Sequence, residues 1–234
     1  MTKIAIVCSI GVLLSITARG QALAPVPVEK EPHHKVRIDM LRLGVIELTL
    51  APGEMTLDHR HEYDVATIAV TDSTTREQSV PAVASAKPGD APVGEPRTRE
   101  AGSSVVTEYA GVPGMHRVEN VAATPARFME VQNFRTSGWE PTMPVDAPAT
   151  TLTKQSRSLL VYDVQLGPGA ETSAHNHANP AIIIVVSGTV ENQGGGGTEP
   201  AVFTGAGTII YTAGMHTLTV KGNAPAHLAE VEIR

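Results

Sequence analysis

The chain has 234 residues and a formal net charge of −6, and only eight of its residues are aromatic: one Trp, four Tyr and three Phe. An acidic chain poor in aromatics offers neither a phosphate-neutralising face nor base-stacking platforms, so nucleic acid is excluded as the expected partner. A carbohydrate-stacking surface is disfavoured for the same reason, which leaves small molecules, metal ions and other proteins.

The first predicted element is a targeting segment. Lys3 precedes an unbroken apolar and small run from Ile4 to Ile16, and small residues follow at Ala18, Gly20, Ala22 and Ala24. That is the charged, apolar and cleavage-site order of a secretory signal peptide. A run of 13 residues is too short to span a roughly 30 Å hydrocarbon core as a permanent helix. Residues 1–24 are therefore expected to be removed, with the mature protein periplasmic or secreted and free of the membrane. Cleavage after Gly20, Ala22 or Ala24 fits the pattern. The only cysteine, Cys8, leaves with the signal, so no disulfide or thiolate ligand is expected. Loss of Lys3 and Arg19, with no acid, takes the charge from −6 to −8.

The rest of the chain is written twice. Shifted by 116 residues, Val45–Asp72 falls on Val161–Gly188, with nine of 28 positions identical: 45, 50, 52, 53, 56, 59, 61, 68 and 70. Shifted by 100, Pro113–Val131 falls on Ala213–Val231, and Gly114-Met115-His116, Pro125-Ala126 and Glu130-Val131 recur as Gly214-Met215-His216, Pro225-Ala226 and Glu230-Val231. A change of shift from 116 to 100 places 16 extra residues in the first copy, between the two blocks. They fall in Thr71–Glu100, a polar, Pro- and Ala-rich stretch that reads as a long surface loop.

Each copy reads as β. Val45–Leu50 and Leu160–Leu166 alternate apolar with polar, and each is followed by a Pro-Gly turn, Pro52-Gly53 or Pro168-Gly169. Ala66–Val70 and Ile182–Val186 are continuous small or β-branched runs, as expected of strands covered on both faces. Val118–Val121 and His216–Val220 read as further strands. No helical stripe follows the signal, so the expected class is an all-β sandwich or barrel, present twice. The predicted boundaries are 25–137 for the first domain and 156–234 for the second. Between them lies a proline-rich connection, 138–155, with Trp139 just inside it.

The histidines carry the chemistry. His59-Arg60-His61 and His175-Asn176-His177 each put two imidazoles on one face of a strand, because alternate residues point the same way. A third, His116 or His216, follows a Gly-Met pair and must come from another strand. Three neutral ring nitrogens from two strands suit a divalent first-row metal. His33, His34 and His227 have no repeat-equivalent partner in this pattern and read as surface residues.

In these motifs the chain resembles the cupin superfamily. Gly53…His59-Arg60-His61 and Gly169…His175-Asn176-His177…Gly188 are similar to the first family motif, and Pro113-Gly114-Met115-His116…Asn120 and Gly214-Met215-His216 are similar to the second. The resemblance implies a bicupin: two tandem antiparallel jelly-roll barrels with a metal in each barrel mouth. The family's motif glutamate is missing, since Val65 and Ala181 stand where it belongs. That departs from the manganese bicupins that decarboxylate oxalate and is closer to the three-histidine cupin dioxygenases. The implied cofactor is a divalent transition metal, with Fe(II) favoured and Zn, Mn, Ni and Cu open.

Other residues could complete the sites. Glu130 and Glu230 stand fourteen residues after the third histidine. Each is either a solvent-facing edge glutamate or a buried carboxylate serving as ligand, orienter or base. Tyr63 shares the parity of His59 and His61 and is expected to face the first site, with Asn179 at the matching place in the second. Asp64 lies beside the missing glutamate's position but on the opposite strand face. The first site has the more charged surroundings, so it is the favoured catalytic one. Three function classes stay open: a dioxygenase-like oxidoreductase acting on a small organic molecule, a metal-dependent isomerase or lyase, and a non-catalytic metal- or ligand-binding module. Bare sheet edges make a homo-oligomer a reasonable expectation.

Overall fold

The computed structural model describes residues 24–79, 94–138, 142–196 and 199–234. The expected signal segment, up to residue 23, and Trp139 lie outside the described residues. The first half contributes β1 (Val26–Pro27), β2 (His34–Asp39), β3 (Leu43–Leu50), β4 (His59–His61), β5 (Asp64–Ala69), β6 (Ser73–Ser79), β7 (Arg97–Arg99), β8 (Ser104–Thr107), β9 (Gly114–Asn120) and β10 (Ala126–Asn133). The second contributes β11 (Thr150–Gln155), β12 (Leu159–Leu166), β13 (His175–Ser187), β14 (Thr189–Gly194), β15 (Ala201–Thr204), β16 (Thr208–Val220) and β17 (Ala226–Ile233).

The second half forms one seven-stranded sheet in the order β11-β12-β17-β13-β16-β14-β15. In the first half the long strands are each broken in two, which splits the sheet into β2-β3-β10-β5-β8 and β1-β4-β9-β6-β7. Joining β4 to β5 and β8 to β9 restores the order of the second half, so the duplication is structural as well as sequential. The short β1, paired parallel to β4, has no counterpart.

Alternation along each strand explains the double-faced apolar runs. On β13, Ile183 and Val185 join a cluster inside the second barrel, while Ile182, Ile184 and Val186 join Leu159, Val161, Val231 and Ile233 in a cluster outside it. That outer cluster also holds Leu43, Val45, Ala66, Ile68, Met129 and Val131 of the first half. The two barrels thus pack back to back through equivalent residues, and the contact is self-complementary. Each of the Val, Leu, Ile and Met side chains among them gains about 1.5–3 kcal/mol by leaving water.

Two segment readings are corrected by the pairing. Thr71–Glu100 is not loop throughout: Ser73–Ser79 and Arg97–Arg99 are paired strands. The 138–155 connection supplies β11, which pairs with β12 as β2 pairs with β3. In both cases a strand polar on both faces hides from an apolar–polar periodicity.

Candidate metal centres

Register brings the histidines together. In the first barrel His59 lies directly opposite His116 and His61 opposite Gly114; in the second His175 lies opposite His216 and His177 opposite Gly214. Directly opposed residues share a face at close Cβ spacing, and the rings meet at 4.5 Å for His59–His116 and 4.3 Å for His175–His216. All six imidazoles point into their barrels. Two clusters result whose ligating atoms lie within 4.8 Å of one another: His59, His61 and His116 in one, and His175, His177, His216 and Glu230 in the other.

The donor sets fit a bound transition metal. The Nε2 atoms of His59, His175, His177 and His216 are buried without a well-formed hydrogen bond, as are both Glu230 carboxylate oxygens. Unsatisfied buried polar atoms are costly, and several aimed at one point need a common partner. His61 Nε2 faces His116 Nε2 at 3.1 Å, and His177 Nε2 stands 3.3 Å from Glu230 Oε2. Two ligands roughly 2.1 Å from one metal lie about 3.0–3.4 Å apart, so these separations suit a shared ion.

The outward nitrogens are held in place, which fixes ring orientation and tautomer. His59 and His175 donate Nδ1–H to the carbonyls of Leu57 and Ser173, both at 2.9 Å. His116 pairs with Glu77 at 2.6 Å, and His216 with Asn192 at 3.0 Å. His177 pairs with Glu232 at 3.0 Å, whereas His61 Nδ1 has no such partner; its ring instead stacks on Tyr109, 5.1 Å away and 15° from parallel. Gly114 makes that stack possible, because a Cβ there would lie 2.1 Å from the Tyr109 ring.

Both glutamates are buried on the central strands β10 and β17, so the edge-strand reading is corrected. Their surroundings differ. Glu130 is approached at 3.9 Å by Nε2 of His34, whose Nδ1 pairs with Glu31 at 2.6 Å. His34 is therefore not a surface residue: strand parity on β2 turns its ring inward, 4.7 Å from His59. Burial alone would lower the His34 pKa, but Glu130 and Glu31 outweigh it and hold it up at about 9. Glu130 sits at about 2: burial opposes the charge, and His34 overcomes the opposition. Glu230 reaches about 2 through His175 and His177 themselves, again against the opposition of burial.

The clusters differ accordingly in charge. Burial drives His59 well below its ordinary pKa and His61 down to about 4, leaving neutral imidazoles ready to ligate. In the second cluster burial is outweighed by Glu230 and Glu232, which raise His177 to about 9. His175 is raised by Glu230 in the same way, while burial takes His216 to about 4.

Tyr63 does not join the first cluster. β4 ends at His61, so the alternation that would turn Tyr63 inward stops, and its ring packs against Phe134 at 4.8 Å in a separate cleft. Asn179 bonds Glu232 at 3.3 Å, and Asp64 is committed to Ala110 N–H and Ser158 at the barrel–barrel contact. His227 pairs with Asp163 at 2.6 Å. Sequence reasoning missed Tyr109, Glu77, Arg97 and Arg99, which with His61, His116 and Glu130 line a cavity of about 340 Å³ in the first barrel. Three of those four sit in the stretch read as loop, and no repeat pointed to them.

The sequence matches no family model and no curated protein. Solved structures do resemble the fold. AerE from Microcystis aeruginosa is 14% identical with a TM-score of 0.59, over 90% of this chain and 98% of that one. A mutant of salicylate 1,2-dioxygenase from Pseudoaminobacter salicylatoxidans, in complex with gentisate, is 12% identical with a TM-score of 0.59, over 90% and 76%. An oxalate decarboxylase from Bacillus subtilis with one tryptophan replaced by tyrosine is 12% identical with a TM-score of 0.54, over 82% and 68%. Such identities speak to fold and not to reaction. The fold is similar to that of the bicupins, two tandem antiparallel barrels, and here each brings three histidines together from two strands.

Proposed function

We propose that the chain is an exported, metal-dependent oxidoreductase of dioxygenase-like type, with its reacting centre in the first barrel. One observation carries the reading: the imidazoles of His59, His61 and His116 converge, the last two at the wall of an open chamber, while Glu130 stays outside their cluster with Nε2 of His34 at 3.9 Å. A three-nitrogen site with a free side is what substrate access requires. Fe(II) is the favoured ion, and when bound it would supply redox and Lewis-acid chemistry that no side chain here has. The protein's own part is positional. Glu77 and the Leu57 carbonyl fix two ring tautomers, Tyr109 braces the third, and Val65, Val118 and Phe128 supply dry walls. The Tyr109 hydroxyl, pushed up to about 12 by burial, stays protonated and can donate to a ligand.

A second reading is favoured for the second barrel. There Glu230 supplies a fourth donor and every histidine is tied at Nδ1, which suits a closed, structural or storage site. The residues toward the amino terminus, Lys3 and Ile4–Ile16, support export.

Anaerobic reconstitution with ferrous iron, followed by metal analysis and oxygen-uptake assays, tests the assignment. Iron held in the first barrel with substrate-dependent oxygen consumption is expected. Zinc or copper held tightly in both barrels, with no turnover, would establish a binding module instead. Amino-terminal sequencing of protein recovered from a periplasmic extract should begin within residues 21–25.

A further inference from the structure

The chamber of the first barrel is not closed by apolar residues alone. Arg97 and Arg99, on β7, both line it, at the end of a sheet in which β6 separates them from the His116 strand. Among the described residues the arginines that form ion pairs with carboxylates are Arg37, Arg60, Arg76, Arg117, Arg127 and Arg157, and neither Arg97 nor Arg99 is among them. Glu77 feels both guanidiniums across the chamber but gives its hydrogen bond to His116 Nδ1 at 2.6 Å, and Glu130 stands 3.9 Å from His34. Arg97 is exposed and Arg99 half-buried, and burial works against the charge of Arg99.

The second barrel shows that the fold does not require cations here. Thr75 pairs with both Asn120 and Arg97, and Val190 pairs with both Val220 and Phe203, so Phe203 is the counterpart of Arg97. Phe203 packs against the apolar cluster inside the second barrel. One register later Arg99 is matched by Gly205. Two arginines in the first barrel thus stand where the second has a phenylalanine and a glycine.

From this we infer that the first chamber binds a small organic carboxylate, its anionic end held by Arg97 and Arg99 and its apolar body laid along Leu48, Val105 and Phe128 toward the histidines. Guanidinium pairs with carboxylate through two parallel hydrogen bonds, and it does so most strongly where water is scarce. A volume of about 340 Å³ is at the small end of ligand pockets, which limits the guest to a compact acid. The inference rests on the placement of the reacting centre in the first barrel, but not on the reaction being an oxidation.

Calorimetry on the zinc-loaded full chain tests binding apart from turnover. The probes are acetate, benzoate, phenylacetate and hexanoate, each against its neutral amide. At least one of the three larger acids is expected to bind ~10-fold or more tighter than its amide, about 1.4 kcal/mol. Binding should weaken with salt, fall ~10-fold in Arg99→Gln and further in the Arg97→Gln/Arg99→Gln double variant, and stay unchanged in Arg60→Gln, which lies outside the chamber. Circular dichroism and metal content confirm that each variant is folded and loaded. Equal affinity for acid and amide, no acid bound at millimolar concentration, or undiminished binding in the double variant would each overturn the inference. Acid binding of the expected kind in an iron-loaded protein that never consumes oxygen would instead sink the oxidoreductase reading and leave this one standing.

Discussion

The two barrels repeat one plan and differ at a few interior positions, and those positions decide what each centre can do. His34 pairs with Leu48, and Thr150 with Val164, in equivalent registers. The first barrel therefore has an imidazole where the second has a hydroxyl. With His34 present, Glu130 has a cationic partner beside the cluster; with Thr150 in that place, Glu230 faces only His175 and His177. A second exchange, Gln132 for Glu232, leaves His61 without the outer carboxylate that His177 has. Arg97 for Phe203 then puts a cation in the first chamber where the second barrel adds an aromatic ring to its apolar cluster. A gene duplication gave two copies of one scaffold, and three side chains account for one three-nitrogen open site and one four-donor closed site.

The largest effect expected from breaking this contrast is on turnover. His59→Ala/His61→Ala should remove one metal per chain and lower the rate ~10³-fold or more, as loss of a catalytic ion does. His175→Ala/His177→Ala should remove the other metal and leave the rate within about threefold. Metal analysis beside kinetics checks this, and equal losses of activity would mean that both centres react.

Next in size is the contact the barrels share. Ile68 and Ile184 are equivalent and fully buried on its two sides, so Ile68→Ala and Ile184→Ala should each cost about 2–5 kcal/mol. Denaturant melts should show similar losses; a large loss at one position only would break the symmetry.

Copying the second barrel into the first is a smaller, sharper change. His34→Thr should release Glu130 toward His59 and His61, slow exchange of the metal with a chelator and reduce turnover ~10-fold. X-ray absorption should then report one more oxygen ligand. An unchanged ligand count would show that His34 does not govern Glu130.

The mildest difference is in acid. In the metal-free protein His177 is raised to about 9, so below that pH it carries a proton that metal must displace. Affinity at the second centre should fall as pH drops, by up to about tenfold per unit for one proton. His59 and His61 are held neutral through that range by burial, so the first centre should show the shallower pH slope. Competition titrations at pH 6, 7 and 8 on the two double-alanine variants measure each centre alone, and parallel pH slopes would contradict the assignment.

The sequence by itself determined the duplication, the β class and both sets of three histidines. Those are local facts: identity at a constant shift, period-two alternation, and the parity of His-x-His on a strand. It could not tell which way Glu130 and Glu230 face, because that depends on β10 and β17 being central strands, a matter of pairing between distant segments. It misplaced His34 because one histidine on a polar edge strand carries no periodic signal, and Tyr63 because its parity holds only while the strand continues. The chamber itself escaped for the same reason. Strands that line a polar cavity, such as β6 and β7, do not alternate apolar with polar, so only the tertiary structure could turn Glu77, Arg97 and Arg99 from loop residues into the walls of a site.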